Sequence, residues 1–238
     1  MRLPSLRTPG TRTHILLLAN AQALLAPAAS PFHQESEAVQ RRRRIVVVAT
    51  LVVGAVLLGL ALTRPVGSRA FTILAAVLAL VWLAGGLLSG PLHLGSRGEH
   101  RHVVAPILLG ILAFAVFAVG AEAVSWIPSL HHAVNDVIKR ADTGSRALIV
   151  AITLVNGAAE EVFFRGAVYS AFAQRRPALW TTVCYAVVTA AAGNVMLLLA
   201  GVLMGTVFAL ERRATRGILA SALTHVTWST LMIFFLPR

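Results

Sequence analysis

The residues of this chain best equipped for chemistry fall in one short window, Asn156-Gly-Ala-Ala-Glu160-Glu161-Val-Phe-Phe-Arg165-Gly166. Two adjacent carboxylates and a guanidinium offer acid–base chemistry, with one carboxylate taking a proton from water and the other held by a cation. Helical spacing separates the two roles. Glu161 and Arg165 stand at i and i+4, on one face and in the favourable acidic-before-basic order, so they read as an ion pair. Glu160 points about 100° away, toward the face of Asn156, which leaves it the carboxylate free to accept a proton. A second polar group lies further along: His225 and Ser229, again i and i+4, with Ser221 one turn earlier and Thr227 between them. A histidine opposite a glutamate pair can donate to a developing oxyanion or hold a water. Between these groups come Tyr185 and Thr189, also at i and i+4, and then Asn194.

The setting of these residues is apolar. Of 238 residues, 57% are hydrophobic and 13% charged, and the mean hydropathy is +0.78. A soluble domain carries about 25% charged residues, and a single core cannot absorb this much apolar surface, so an integral membrane protein is predicted. The formal net charge is +12. The basic residues, all but one of them arginine, sit between apolar blocks; there they set topology and meet anionic lipid headgroups, and no folded basic face for nucleic acid is indicated. The single cysteine, Cys184, excludes an intramolecular disulfide and a cysteine-based metal site.

The elements that must position the polar groups are helices. Apolar blocks at 45–63, 70–92, 103–126 and 147–172 each suffice to cross ~30 Å of hydrocarbon. The charge-free stretch 177–210 is too long for one crossing and splits at the turn signal Gly193-Asn194 into helices at 178–192 and 195–210. A last block covers 217–236. The expected fold is therefore an all-α integral membrane protein, a polytopic bundle of about seven transmembrane helices. Residues 1–44 read as a basic, largely disordered arm, 45–146 as three spans plus a polar connection, and 147–238 as a four-helix membrane core. The stretch 14–29 imitates a signal peptide, but cleavage there would export four arginines directly ahead of a membrane segment. With the N-terminus in the cytoplasm, fourteen basic residues fall inside and six outside, which predicts a multi-pass cell-membrane protein of that orientation.

Only four ionisable residues fall inside these spans: Glu122, Glu160, Glu161 and Arg165. Each costs about 2.5–3.5 kcal/mol at mid-helix on insertion scales, so a cluster persists when paired, hydrated or functional. Glu122, solitary near a span end, reads as a hydrated interfacial carboxylate. Gly201 and Gly205 form a G-x-x-x-G, a signal for close helix packing.

The pattern Glu160-Glu161-x-x-x-Arg165-Gly166, followed by two spans and then His225-x-x-x-Ser229, resembles the CPBP family of intramembrane proteases, which includes the type II CAAX prenyl endopeptidases and bacteriocin-processing proteins. The resemblance covers roughly residues 145–236. It implies a helical membrane bundle around a conical polar cavity, with a membrane-associated peptide or protein as substrate. It also implies that Glu160 activates water, with Glu161 and Arg165 in support, and that His225 stabilises the oxyanion or positions the water. The chain departs from the family's pattern twice. The second motif, F-x-x-x-H, has as its nearest counterpart Tyr185-x-x-x-Thr189, with Asn194 another stand-in for the absent histidine; the third motif ends in Ser229 where the family has Asn or Asp. A divalent metal, zinc, is implied by the resemblance alone. Glu160 or Glu161 with His225 falls short of the three protein ligands that catalytic zinc usually takes, so no tightly bound metal is expected. Two other readings are a hydrolytically weak relative acting as a membrane scaffold or immunity protein, and a small proton-coupled transporter. The transporter reading lacks the internal repeat that such carriers show.

Overall fold

The computed structural model describes residues 36–95, 101–124, 126–141 and 145–236; the signal-like stretch 14–29 and the rest of the arm to residue 35 lie outside them. The described residues form eight helices: α1 (Glu37–Leu62), α2 (Arg69–Ser89), α3 (Arg101–Val124), α4 (Pro128–Ala141), α5 (Arg146–Ala171), α6 (Pro177–Ala190), α7 (Val195–Thr215) and α8 (Leu219–Phe235). The helices α1, α2, α5 and α7 and residues 103–124 of α3 are long and apolar enough to cross a membrane, and α6 and α8 are shorter apolar helices. These seven apolar helices are the seven that hydropathy predicts, and the chain is a multi-pass membrane protein.

Three boundaries differ from expectation. The first helix begins at Glu37, ahead of the apolar run at residue 45, because Ser36 caps it, its Oγ accepting from Val39 N at 3.4 Å. The arginines 41–44 are thus its opening turns. Arg41, Arg42 and Arg44 stay exposed, whereas Arg43 turns inward and donates from Nη1 to Ser89 Oγ at 3.2 Å. The supposed polar connection after α3 folds as α4, whose apolar residues recur at 130, 134, 137 and 141, the period of an amphipathic helix. Finally α7 runs beyond residue 210 to Thr215, where Arg216 adopts the left-handed conformation (φ 56°) and ends it. Glu211 and Arg212 consequently lie inside a helix, with Arg212 buried, and the intramembrane ionisable groups number more than the four that hydropathy counts.

Cross-connections fix which helix ends share a face. His93 and Leu94, in the segment after α2, accept from the backbone N–H groups of Ile218 and Leu219 at 3.0 and 3.3 Å and so cap α8. Arg43 ties the start of α1 to the end of α2. At the opposite face, Asn194 caps α7, accepting from Met196 N and Leu197 N, and donates Nδ2 to Ala133 O of α4 at 3.0 Å.

The middle of α5 changes register. Residues Val162–Val168 form a π-helical turn, a local unwinding often found at functional sites. Two side chains from other helices engage its carbonyls: Thr181 Oγ1 donates to Phe164 O at 2.8 Å and Arg212 Nε to Arg165 O at 2.9 Å. Behind the turn lies the apolar core. Trp82 stacks on Phe163 with centroids 4.9 Å apart, and Phe164 meets Tyr185 edge-on at 4.8 Å.

Candidate active site

The cluster is assembled where α5 enters its π turn. Glu161 and Arg165 are both fully buried and pair at 3.0 Å, Nη1 to Oε1. The guanidinium also donates from Nη2 to Gly205 O at 3.1 Å, and its carbon lies 4.8 Å and 4.9 Å from the ring centroids of Tyr185 and Phe208. An arginine between two aromatic faces, bonded through its two Nη groups to a carboxylate and a carbonyl, is a cation made tolerable in hydrocarbon by those partners. The close approach of α6 and α7 that this requires falls on the G-x-x-x-G: a Cβ at Gly205 would stand 3.1 Å from the Tyr185 ring.

His225, on α8, completes the buried triad. Its Nδ1 lies 3.1 Å from Glu161 Oε1, so the same carboxylate oxygen serves both Arg165 and His225. A carboxylate accepts, so Nδ1 carries the proton in this pair and Nε2 lies on the other side of the ring. That nitrogen lies along Gly157 of α5, where a Cβ would stand 3.4 Å from it; the missing side chain leaves the space beside Nε2 clear. Phe208 stacks on the opposite side of the imidazole, centroids 4.7 Å apart, and fixes the plane of the ring.

Glu160 stands apart from this triad. It is partly exposed where Glu161 is sealed, and its Oε2 accepts the Tyr185 hydroxyl at 2.8 Å. The residues that spacing suggested as its helpers are placed elsewhere. Asn156 donates Nδ2 to Ile152 O of its own helix at 3.0 Å. Thr189 donates to Tyr185 O at 2.8 Å and packs against Gly201. Asn194 caps α7, eleven residues from Gly205 and so roughly 16 Å along the axis from the Arg165 contact. Ser229 donates to His225 O at 2.7 Å, fastening the helix turn that carries the histidine. The cluster therefore joins Glu160, Glu161, Arg165 and His225 with Tyr185, Gly205 and Phe208. Tyr185 was visible in the sequence as half of an i, i+4 pair, but nothing there marked it as the partner of Glu160.

Two further polar groups border the cluster, Glu211 half-buried and Arg212 buried. Glu211 of α7 lies with Oε1 2.7 Å from the Thr224 hydroxyl, which is also 3.0 Å from Pro106 O. Arg212 holds the π-turn carbonyl of Arg165, and its guanidinium lies over Tyr169 at 5.0 Å. The end of α7 was the signal for both: Gly217, not the first charge, marks where the helix stops.

The donor set does not suit a metal ion. Among the described residues no three His, Cys, Asp or Glu side chains are placed to hold one. The carboxylate nearest His225 already carries the Arg165 cation, and the Nδ1 of His225 is turned onto that same oxygen. What the arrangement can do is hold a proton-accepting carboxylate, Glu160, adjacent in the chain to the carboxylate that engages His225, with Tyr185 fixing Glu160 and Glu161 fixing the histidine.

An apolar cavity of about 460 Å³, lined by none of the cluster residues, lies between α3 and α7, floored by α8 and bordered by Val134 of α4. Its polar wall residues are Thr153 and Ser229. Thr153 stands seven residues before Glu160, on the same stripe of α5, and Ser229 stands one turn beyond His225 on α8.

No curated protein and no solved structure matches the chain. A family model does match it, over residues 143–231, and its description is Type II CAAX prenyl endopeptidase Rce1-like. Over α5 to α8, the four helices that build the whole cluster, this membrane protein is thus similar to that family model, as its E-E-x-x-x-R-G resemblance implied.

Proposed function

We propose that the protein is an intramembrane endopeptidase that hydrolyses a peptide bond of a membrane-associated polypeptide with water activated by Glu160. The observation that carries this reading is the division of labour between adjacent carboxylates. Glu161 is sealed, with Arg165 and His225 both on its Oε1, while Glu160 is partly exposed and held by a hydroxyl donor. In the reaction, the water oxygen bonds to the carbonyl carbon as its proton passes to Glu160. The C–N bond then breaks, and that proton goes to the departing amine. His225 Nε2, in the clear space beside Gly157, faces the water or the carbonyl oxygen, and Tyr185 holds Glu160 in place. The arginines exposed at the start of α1 meet anionic headgroups, with that end of the bundle in the cytoplasm.

The test is cleavage of membrane-anchored reporter peptides by the protein in liposomes. Glu160→Gln and His225→Ala are each expected to abolish it while leaving the protein inserted and monodisperse in detergent. Undiminished cleavage by both variants would overturn these roles. One observation favours a second reading, a hydrolytically weak scaffold of the same fold. Thr189, at the position of the family's second-motif histidine, is committed to a backbone carbonyl. Absence of cleavage by the unaltered protein across a broad peptide set would favour that reading.

A further inference from the structure

Three helices meet at one hydroxyl. The Thr224 oxygen of α8, fully buried, stands 2.7 Å from Glu211 Oε1 of α7 and 3.0 Å from Pro106 O of α3. The seam is tight: a Cβ at Gly110, one turn after Pro106, would stand 2.8 Å from Thr227 Cβ and 2.9 Å from Thr224 O. A hydroxyl carries one hydrogen, and neither a carboxylate nor a carbonyl supplies another. With Glu211 ionised, three oxygens would share that single hydrogen. Its second oxygen, Oε2, is buried and has no hydrogen-bond partner among the described residues, and an anionic oxygen without a donor is costly to leave in hydrocarbon. With Glu211 as the neutral acid the count closes. The carboxyl O–H donates to Thr224 Oγ1 and Thr224 donates to Pro106 O, each hydrogen used once. The charged groups that act on Glu211 are Glu161 and Arg165 of α5. Arg165 is committed to Glu161 Oε1 and Gly205 O, and Arg212, beside Glu211 and followed by Arg213, to Arg165 O. On α8 the titratable neighbour is His225, bonded to Glu161, and on α6 it is Tyr185, bonded to Glu160. On α3, Arg101 and His102 are nearest in sequence to Pro106, and α4 meets α7 at its opposite end, near Asn194.

We infer that Glu211 is held as a neutral carboxylic acid whose proton completes a hydrogen-bonded chain across α7, α8 and α3, and that this chain positions His225, the residue after Thr224. The chain fixes the turn of α8 from which His225 places Nδ1 3.1 Å from Glu161 Oε1. In the unfolded chain a glutamate is ionised at neutral pH, so the folded protein holds one proton more. Stability therefore falls as pH rises, until the folded protein releases that proton as well. Its release leaves Thr224 with one hydrogen for two acceptors, so the seam loses its bond to α7 or to α3. The place of this proton does not depend on the hydrolytic reading.

The experiment uses the full-length protein in dodecyl maltoside, a detergent without a carbonyl group, and infrared spectroscopy. At neutral pH the unaltered protein is expected to show the C=O stretch of a protonated, hydrogen-bonded carboxyl group, shifted down in heavy water. Glu211→Gln is expected to abolish that band and Glu160→Gln to leave it. Thr224→Val, which removes the accepting hydroxyl, is expected to move the band to higher wavenumber, an assignment that holds even if Glu211→Gln fails to fold by gel filtration. A band absent at neutral pH, or untouched by both Glu211→Gln and Thr224→Val, would overturn the inference. Positioning is read from pH. The melting temperature of the unaltered protein is expected to fall as the band is titrated away. Glu211→Gln, uncharged and able to donate an amide N–H to Thr224, is expected to lack that component. Over the same rise in pH, amide hydrogen exchange at Thr224 and His225 is expected to quicken several-fold relative to Glu211→Gln at each pH. Equal exchange in the two proteins would overturn the link to His225. None of these readouts requires cleavage, so a failed Glu160 assay and a failed Glu211 assignment are told apart.

Discussion

Tyr185 of α6 donates its hydroxyl to Glu160 of α5 across 2.8 Å, while the face of the same ring lies 4.8 Å from the Arg165 guanidinium carbon. One side chain thus touches both the carboxylate assigned to water and the cation that neutralises its neighbour. Tyr185→Phe keeps the ring and removes the donor, leaving the half-buried Glu160 carboxylate without it, a loss of about 0.5–1.5 kcal/mol. The expected outcome is a fall in detergent melting temperature together with slower cleavage of a reporter peptide. A melting temperature equal to that of the unaltered protein would show that the bond does not hold Glu160.

Arg165 and Glu161 have no access to solvent. Arg165→Leu leaves a carboxylate buried in hydrocarbon beside His225, and breaking a buried pair costs about 3–5 kcal/mol. Thermal unfolding in detergent should show a large loss. The double variant Arg165→Leu/Glu161→Gln should recover part of it, because the uncompensated charge is gone. A double variant no more stable than the single one would count against charge pairing as the cause.

The π turn is held from outside by Thr181 and Arg212. Arg212→Lys retains the charge but loses the planar donor that reaches Arg165 O. Thr181→Val retains shape and removes the hydroxyl, at about 0.5–1.5 kcal/mol. Both are expected to lower stability and to speed amide hydrogen exchange within Val162–Val168 more than at either end of α5. Uniform exchange along the helix would argue that the turn needs neither donor.

Gly157 sits beside Nε2 of His225. Gly157→Ala adds a methyl at ordinary contact distance and removes a mid-helix glycine, a gain of roughly 0.5–1 kcal/mol. Gly157→Val fills the space next to Nε2. The alanine variant should melt at or above the original temperature. The valine variant should remain folded and lose cleavage; a fully active valine variant would place the reacting carbonyl elsewhere.

Hydropathy found the seven apolar helices because each is a long, predominantly apolar run, and Gly193, at φ 65°, formed the turn that its neighbour Asn194 suggested. It failed where charge is buried by partners rather than excluded. Arg43, Glu211 and Arg212 ended the apolar runs on paper, yet each lies within a helix, Arg43 bonded to Ser89, Glu211 to Thr224 and Arg212 to the Arg165 carbonyl. The amphipathic α4 escaped because its polar residues outnumber its apolar ones, so only periodicity reveals it. Within the site, contacts inside one helix were legible, as with Glu161 and Arg165 at i and i+4. Contacts between helices were not: residue type proposed Asn194 and Thr189 as partners, whereas packing chose Tyr185 for Glu160 and sent Asn194 to the far end of α7.

The strap after α2 has a mechanical consequence. Its His93 and Leu94 carbonyls are the acceptors for the first amides of α8, and its Leu92 fills the hollow over Gly166 in the π turn. The histidine-bearing helix and the glutamate-bearing helix are therefore clamped by one short stretch of chain only a few residues long. Any rocking of α2, as when its lipid surroundings thin or thicken, would therefore act on the helix of Glu160 and the helix of His225 together.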